Sequence, residues 1–214
     1  MKFITFRRYW LDRLLAETDF NGRVLDIGGT KINKRGGFRP ALEKVQSWEY
    51  LNINEKTCPD YLCSSDKVPV DDETFDVIVI TEVLEHLERP EDTLNEAFRI
   101  LRKKGRLIAS MPFLYKIHPD PFDFQRWTPD KIRLEFTKTG FELIQIRTMG
   151  GFFAVVYDLT HAFLVDKDGK LPFMRKIIHK FFMPFLAMIF RRLDNYFNSV
   201  HGAITTGFYI VAAK

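Results

Sequence analysis

Phe75 to Ile108 reads FDVIVITEVLEHLERPEDTLNEAFRILRKKGRLI, and three changes of pattern within it decide the fold class. FDVIVI is short, almost wholly apolar and rich in β-branched residues, as a strand covered on both faces must be. The next residues turn polar and acidic, and Pro90 stands where a helix starts. Leu94, Ala97, Phe98 and Leu101 then follow at the spacing of a helix face turned to a core. Basic residues fill the expected last turn, and Gly105 is the expected stop. RLIASM, Arg106 to Met111, is a second buried strand, ended by Pro112. A strand, a helix and a strand in this order predict a parallel pair joined by a crossover.

The same alternation continues in both directions. Residues 4–18 form an amphipathic pattern, with Ile4, Leu11, Leu14 and Leu15 on one side and Arg7, Arg8, Asp12 and Arg13 off it. Asn21-Gly22 turns the chain. Strands are expected at Arg23–Ile27 and Trp48–Ile53, with a short helix over 40–47 between them. Beyond the central stretch, a helix is expected over 129–139, a strand over Phe141–Arg147 and a final strand over Gly207–Ala213. Residues 152–198 are Phe-rich and mostly helical in pattern. The fold class is therefore α/β, a doubly wound and mostly parallel sheet. The expectation is one domain over 1–214, with a helical insertion at about 150–203 before the last strand.

Composition narrows the functional classes. The chain has 214 residues, 46% hydrophobic and 28% charged, with a formal net charge of +4. That is an ordinary globular balance, and too weakly basic to predict a nucleic-acid partner. Two cysteines, Cys58 and Cys63, make neither a disulfide framework nor a four-ligand zinc site, so reduced thiols and a cytoplasmic setting are expected. The first residues lack the apolar core and cleavage site of a signal peptide. No run reaches the roughly 20 apolar residues that span a bilayer.

In doubly wound sheets, ligands sit beyond the carboxyl ends of the strands. VLDIGGT places Asp26, Gly28, Gly29 and Thr30 at the first such end. Glycines there let backbone approach a ligand, and the acid suits an ammonium or hydroxyl group. The spacing G-x-G-x-x-G of nicotinamide-dependent oxidoreductases is missing.

The succession VLDIGG, YLNIN, SSDKVPVDDETFDVIVITEVLEHL and RILRKKGRLIASMP resembles the class I S-adenosylmethionine-dependent methyltransferases. It is similar to the branch carrying LD-x-G, LP, FD-x-V, LEH and E-x-x-R-x-L motifs. The resemblance covers residues 23 to about 147 and, through the last strand, nearly the whole chain. It implies a seven-stranded Rossmann-like sheet, S-adenosyl-L-methionine as cofactor, and methyl transfer. It places Asp26, Gly28, Gly29 and Thr30 with Thr81, Glu82 and Val83 around the methionine end, and Asn52 and Asn54 at the ribose. Ser65 and Asp66 fall at the adenine, and His86 at the helix start beside the cofactor. Thr30 replaces a glycine, Asn54 stands where an acid is usual, and the loop KINKRGGFRP is basic where a regular helix usually begins. Lys31, Lys34, Arg35 and Arg39 are either a rim for an anionic substrate or solvated charges.

PFLYKIHPDPFDFQRWTP, residues 112–129, mixes titratable and aromatic residues just past a strand end. It also resembles a string in methyltransferases associated with surface-polysaccharide assembly. His118 is expected as a base for a hydroxyl acceptor, Asp123 as its orienting group and Arg126 as the contact for a substrate anion. The competing reading has Asp123 and Arg126 pairing to hold the loop while Trp127 plugs the core. The acceptor is expected to be a small molecule or a glycan-type or lipid-linked one, attacked at oxygen. The other functional class is a degenerate cofactor-fold module serving as a membrane-associated scaffold. Within the insertion, 173–192 reads as a lid, as a helix lying on the inner face of a membrane between basic flanks, or as a dimer face.

Overall fold

The computed structural model describes residues 4–34, 36–164, 177, 181–197 and 203–214. Seven strands form one sheet: β1 Arg23–Ile27, β2 Ser47–Asn52, β3 Tyr61–Leu62, β4 Phe75–Thr81, β5 Leu101–Pro112, β6 Glu142–Thr148 and β7 Gly207–Ala213. Their order across the sheet is β3-β2-β1-β4-β5-β7-β6. Strands β1 to β5 run parallel, and β7 is antiparallel to both β5 and β6. The chain thus leaves the sheet after edge strand β6 and returns as β7 between β6 and β5. β3 is only two residues long, which is why no apolar run announces it.

Alternation along the central strands distributes the core. Ile78 and Ile80 of β4 face the cluster that holds Leu94 and Ala97 of α2 (Pro90–Ile100) and Ile132 and Phe136 of α3 (Pro129–Thr139). Val77 and Val79 face the opposite cluster, with Leu11, Leu14 and Leu15 of α1 (Phe6–Glu17). Both faces are therefore covered, and each fully buried aliphatic side chain contributes roughly 1.5–3 kcal/mol. The order reverses at β1 and β4, and that switch opens a cleft at their carboxyl ends.

Three local expectations need correction. The helix over 40–47 is reduced to one 3-10 turn, Leu42–Lys44, because Leu42 has nothing to pack on and is 62% exposed. Gln46 N–H already donates to the Gly22 carbonyl at 2.8 Å, drawing the chain into β2. α2 ends at Ile100 rather than at Gly105, because Leu101 pairs in register with Phe75. Arg102 then bonds both oxygens of Asp76 at 2.8 Å in place of closing a helical turn. Leu11, Leu14 and Leu15 of α1 are buried as expected, but Ile4, just before the helix, is exposed and Arg7 is buried, the reverse of the expectation for those two positions.

The insertion supplies α4 (Phe152–Leu164) and α5 (Met183–Phe197). Ala154, Tyr157 and Leu164 pack with Met183, Leu186 and Phe190, and Phe6 of α1 joins them. Two buried acids connect these helices through backbone amides. Asp194 of α5 accepts from Gly151 N–H at 3.0 Å and Ala154 N–H at 3.2 Å, at the start of α4. Asp158 of α4 accepts from Phe6 N–H at 2.7 Å and Arg7 N–H at 3.0 Å, at the start of α1. Carboxylates suit helix starts, where amides are unpaired and the dipole is positive.

Residues 173–176 and 178–180 of the 173–192 stretch, with Arg175, Lys176 and Lys180, lie outside the described residues. Phe181, Phe182, Phe185 and Met188 are exposed. No helix of the described residues is long and apolar enough to cross a membrane.

Candidate active site

At the tip of β1 the chain turns through Gly28 and Gly29. Gly28 has φ +78°, and a Cβ there would stand 2.4 Å from Val83 Cγ2. A Cβ on Gly29 would meet the Asp26 carboxyl carbon at the same distance. Bare backbone is thus required at both positions. Gly28 N–H donates to the Leu51 carbonyl at 2.8 Å, and Asn52 Nδ2 donates to the carbonyls of Gly28 and Gly29 at 3.2 and 3.1 Å. Asn52 Oδ1 accepts from Asn54 N–H at 2.9 Å, so both ends of that side chain hold the loop. Asn54 in turn caps the turn Glu55–Thr57, its Oδ1 accepting from Lys56 N–H at 3.0 Å.

Beneath this turn lies the Asp26 carboxylate. Burial pushes its pKa up to about 7, opposed by a hydrogen bond from Trp48 Nε1 and by the charges of Lys34 and Arg8. On the β4 side, Glu82 takes up φ +58°, a conformation uncommon for a side-chain-bearing residue. Its amide donates to Ser110 Oγ at 3.1 Å, its Oε1 accepts from that hydroxyl at 3.0 Å, and its Oε2 pairs with Arg7. Arg7 also lies 4.0 Å over the Tyr115 ring. Burial lowers the Arg7 pKa against the pull of Tyr115 and two acids.

These groups line a cavity of about 600 Å³, within the range of small-molecule sites. Asp26, Gly28, Gly29, Thr30, Asn52, Asn54, Ser65, Thr81, Glu82, Val83 and His86 all face it. Asp66 does not: it is exposed and off the cavity, and Ser64 lines the wall in its place. Ser65 is held there by Thr93, hydroxyl to hydroxyl at 2.7 Å. Of the basic loop, Lys34 reaches the cavity and is tied to Tyr50 OH. Lys31 pairs with Asp60, Arg39 bonds the carbonyls of Gly36 and Phe38, and Arg35 is outside the described residues.

The opposite end is closed by His86 and the Pro119-Asp120-Pro121 segment. His118, Asp123 and Arg126 are brought together directly behind that wall. His118 N–H donates to Asp123 Oδ2 at 2.9 Å, and Arg126 Nη2 donates to the same oxygen at 2.7 Å. The Arg126 guanidinium holds the Asp123 carboxyl far below the usual carboxylate range. Trp127 is buried, its N–H on Met111 Sδ at 3.2 Å. Asp123 and Arg126 therefore form the loop-holding pair, and Asp123 also faces the His118 ring, with Nδ1 3.3 Å away. Gln125 straps the loop down, its Nε2 donating to the carbonyls of Leu84 and Leu87 at 3.3 and 2.8 Å.

Sequence reasoning passed over two residues here. Arg7 reads as one more surface charge on an amphipathic helix. Glu85 draws no notice in the sequence, yet it is fully buried. An acid between two leucines, Leu84 and Leu87, offers no periodic sign of that burial.

A switch-point cleft, a glycine turn over a buried acid and a β7 inserted antiparallel define the class I S-adenosylmethionine-dependent methyltransferase fold. Residues 41–109 match the family model described as a methyltransferase domain. Part of the chain is 29% identical over 105 residues to the ubiquinone/menaquinone biosynthesis C-methyltransferase UbiE of Ruegeria sp., covering 49% of this chain and 36% of that one. A shorter match, 49% over 42 residues, is to the enzyme of the same name from Roseobacter denitrificans, covering 20% of this chain and 17% of that one. The matches thus span well under half the length of these curated relatives. Among solved structures, a SAM-dependent methyltransferase from Archaeoglobus fulgidus superposes with a TM-score of 0.59 at 14% identity, over 97% of this chain and 92% of that one. A Burkholderia thailandensis 1,6-didemethyltoxoflavin-N1-methyltransferase with bound S-adenosylhomocysteine superposes at 0.56 and 12% identity, over 98% and 78%. These structures share the fold. Over residues 41–109 the chain is similar to a methyltransferase domain, and the sheet around that segment is the one these structures share.

Proposed function

We propose that the protein transfers a methyl group from S-adenosylmethionine to a small-molecule or glycan-type acceptor, at oxygen. One observation carries the reading: Asp26 lies under a glycine turn where an added Cβ would stand 2.4 Å from side-chain atoms, on the wall of a cavity of about 600 Å³. Asp26 is placed to meet an ammonium group, the bare backbone of Gly28 and Gly29 to lie along the ligand, and Ser64 and Ser65 to face its far end. The cofactor supplies the electrophilic sulfonium methyl.

For the acceptor, positioning contributes most of the acceleration, and a hydroxyl also needs a base. His118 is the base in this reading. Asp123 fixes its ring and stabilises the imidazolium that forms, and Arg126 holds Asp123. His86 and Pro119 to Pro121 wall the acceptor end. The curated relatives are named C-methyltransferases, whereas a histidine held by a carboxylate suits the heavier proton demand of a hydroxyl. The exposed aromatic residues Phe181, Phe182 and Phe185 near exposed Arg192 favour peripheral contact with a membrane through 173–192, on the cytoplasmic side, and hence a lipid-linked acceptor.

Calorimetric titration with S-adenosylhomocysteine tests the cofactor assignment. One site per chain is expected, with affinity lost in Gly28→Val. Absence of binding by folded protein overturns methyl transfer and favours the scaffold reading. For the base, His118→Ala is expected to lower kcat by about 100-fold or more with cofactor affinity unchanged, and an unchanged kcat removes His118 from the chemistry.

A further inference from the structure

Behind the cavity wall sits a carboxylate with no hydrogen bond. Glu85 is fully buried, and neither of its oxygens has a donor among the described residues. An isolated buried carboxylate is costly, so a group that compensates it is expected at that place. The ion pairs of the neighbouring cations are with other acids, although Arg7 Nε and Arg126 Nε have no hydrogen-bond acceptor among the described residues. Arg7 faces Glu85 electrostatically but pairs with Glu82, and Arg126 is spent on Asp123.

Two imidazoles present themselves to this carboxylate in the same way. His86 Nε2 and His118 Nε2 each lie 3.7 Å from Glu85 Oε1. The rings meet edge to face with centroids 5.1 Å apart. Each ring is held from behind through Nδ1. That of His86 donates to the Phe122 carbonyl. That of His118 faces two oxygens, the Lys116 carbonyl at 3.2 Å and Asp123 Oδ2 at 3.3 Å. Arg126 Nη2 also stands 3.3 Å from it, but donates to Asp123. Acceptors at Nδ1 place the proton there and leave both Nε2 lone pairs turned toward Glu85. Histidines oriented by a carbonyl and by a carboxylate, with the far nitrogen free, are the arrangement seen around bound metal ions.

We infer that Glu85, His86 and His118 bind one divalent first-row transition ion, of the zinc or manganese kind, at the acceptor end of the cavity. The three ligand atoms lie within 4.8 Å of one another. Ligands about 2.0–2.2 Å from a tetrahedral ion stand about 3.4 Å apart, so the two 3.7 Å separations from Glu85 close with a shift of a few tenths of an ångström, and the separation of the two imidazole nitrogens, within 4.8 Å, closes by turning the rings together. Two histidines and one carboxylate satisfy three positions and leave further ones open. His86 also lines the cavity, which puts an open position toward an acceptor oxygen. The ion would neutralise Glu85 and lower the pKa of a bound hydroxyl. It would also commit the lone pair of His118, replacing its role as base.

The inference stands on the cluster and not on the methyltransferase reading, so the test uses the metal alone, without cofactor. Full-length protein stripped with EDTA is titrated with ZnCl2 by calorimetry, and its ion content is measured after dialysis. One ion per chain is expected, with binding weakened at least tenfold in Glu85→Gln and in His118→Asn. Pulsed electron paramagnetic resonance of the MnCl2-loaded wild-type protein is expected to show coupling to two imidazole nitrogens, a readout that needs no variant to fold. Folded protein that takes up no ion at millimolar ZnCl2 overturns the inference. So does binding unchanged in both variants, or manganese without nitrogen coupling; Glu85 would then be compensated by a proton on one of the rings.

Discussion

Arg7 of the first helix pairs with Glu82 at the tip of β4, joining the N-terminal segment to the cavity. The guanidinium is buried, lies over Tyr115, and is seated by Asp158 through the backbone amides of Phe6 and Arg7. Breaking a buried pair leaves an uncompensated charge and costs about 3 kcal/mol or more. Arg7→Met is therefore expected to lower the unfolding free energy measured in urea by that amount. It should also weaken cofactor binding, because Glu82 loses the partner that holds it in its φ +58° conformation. An unfolding free energy within about 0.5 kcal/mol of wild type would show that Arg7 is solvated.

At the glycine turn, Gly28→Ala forces a Cβ into Val83 Cγ2 at a left-handed φ. Cofactor affinity is expected to fall at least tenfold by calorimetry. Adding Val83→Ala removes the clash but not the backbone strain, so the double variant should recover only part of the loss. Full recovery would mean that sterics alone shape the turn.

The Asp26 carboxyl, pushed up to about 7 by burial, is protonated in the free protein below that pH and ionised above it. An ammonium ligand favours the ionised form. Affinity for the cofactor should thus fall about tenfold per pH unit below 7, and binding near neutrality should release a proton. Titrations in two buffers of different ionisation enthalpy measure that proton. For stability the sign is opposite: an acid whose folded pKa lies above its unfolded value of 3.8 costs stability as pH rises through that interval. Asp26→Asn is then expected to gain up to about 4 kcal/mol at pH 8 while losing the ligand. A pH-independent affinity would remove Asp26 from the ammonium site.

Asp194 holds the start of α4 through three amide contacts. Asp194→Ala leaves those amides unpaired, at a cost of about 2 kcal/mol. Hydrogen exchange should quicken over 152–164 and stay slow in β1, β4 and β5. Equal quickening throughout would mean that the insertion and the sheet unfold as one unit.

The sheet was legible because β4, β7 and the second half of β5 are covered on both faces and so read as short, mostly apolar runs, with β1 carrying the same mark in Val24, Leu25 and Ile27. The glycine turn was legible for a related reason: only residues without a Cβ fit at Gly28 and Gly29, and that need is written in their identity. Asp123 with Arg126 was half visible. Their three-residue separation permits a pair, but only the folded loop shows that Asp123 serves His118 as well. Arg7 and Glu85 were hidden, because a charged residue buried by distant partners carries no local mark. The end of α2 was misplaced at Gly105 because helix propensity in LRKK was overridden by pairing of Leu101 with Phe75.

The two acids that cap one helix from the next bear on how far the chain can be trimmed. Deleting α4 and α5 to obtain a minimal sheet would remove Asp158, and with it the anchor at the beginning of the N-terminal helix. Arg7 would swing free and the strand-tip glutamate would lose its mate. What looks like an accessory lobe is thus part of the scaffolding of the pocket, and a shortened version of the protein would be crippled in a region the deletion never touched.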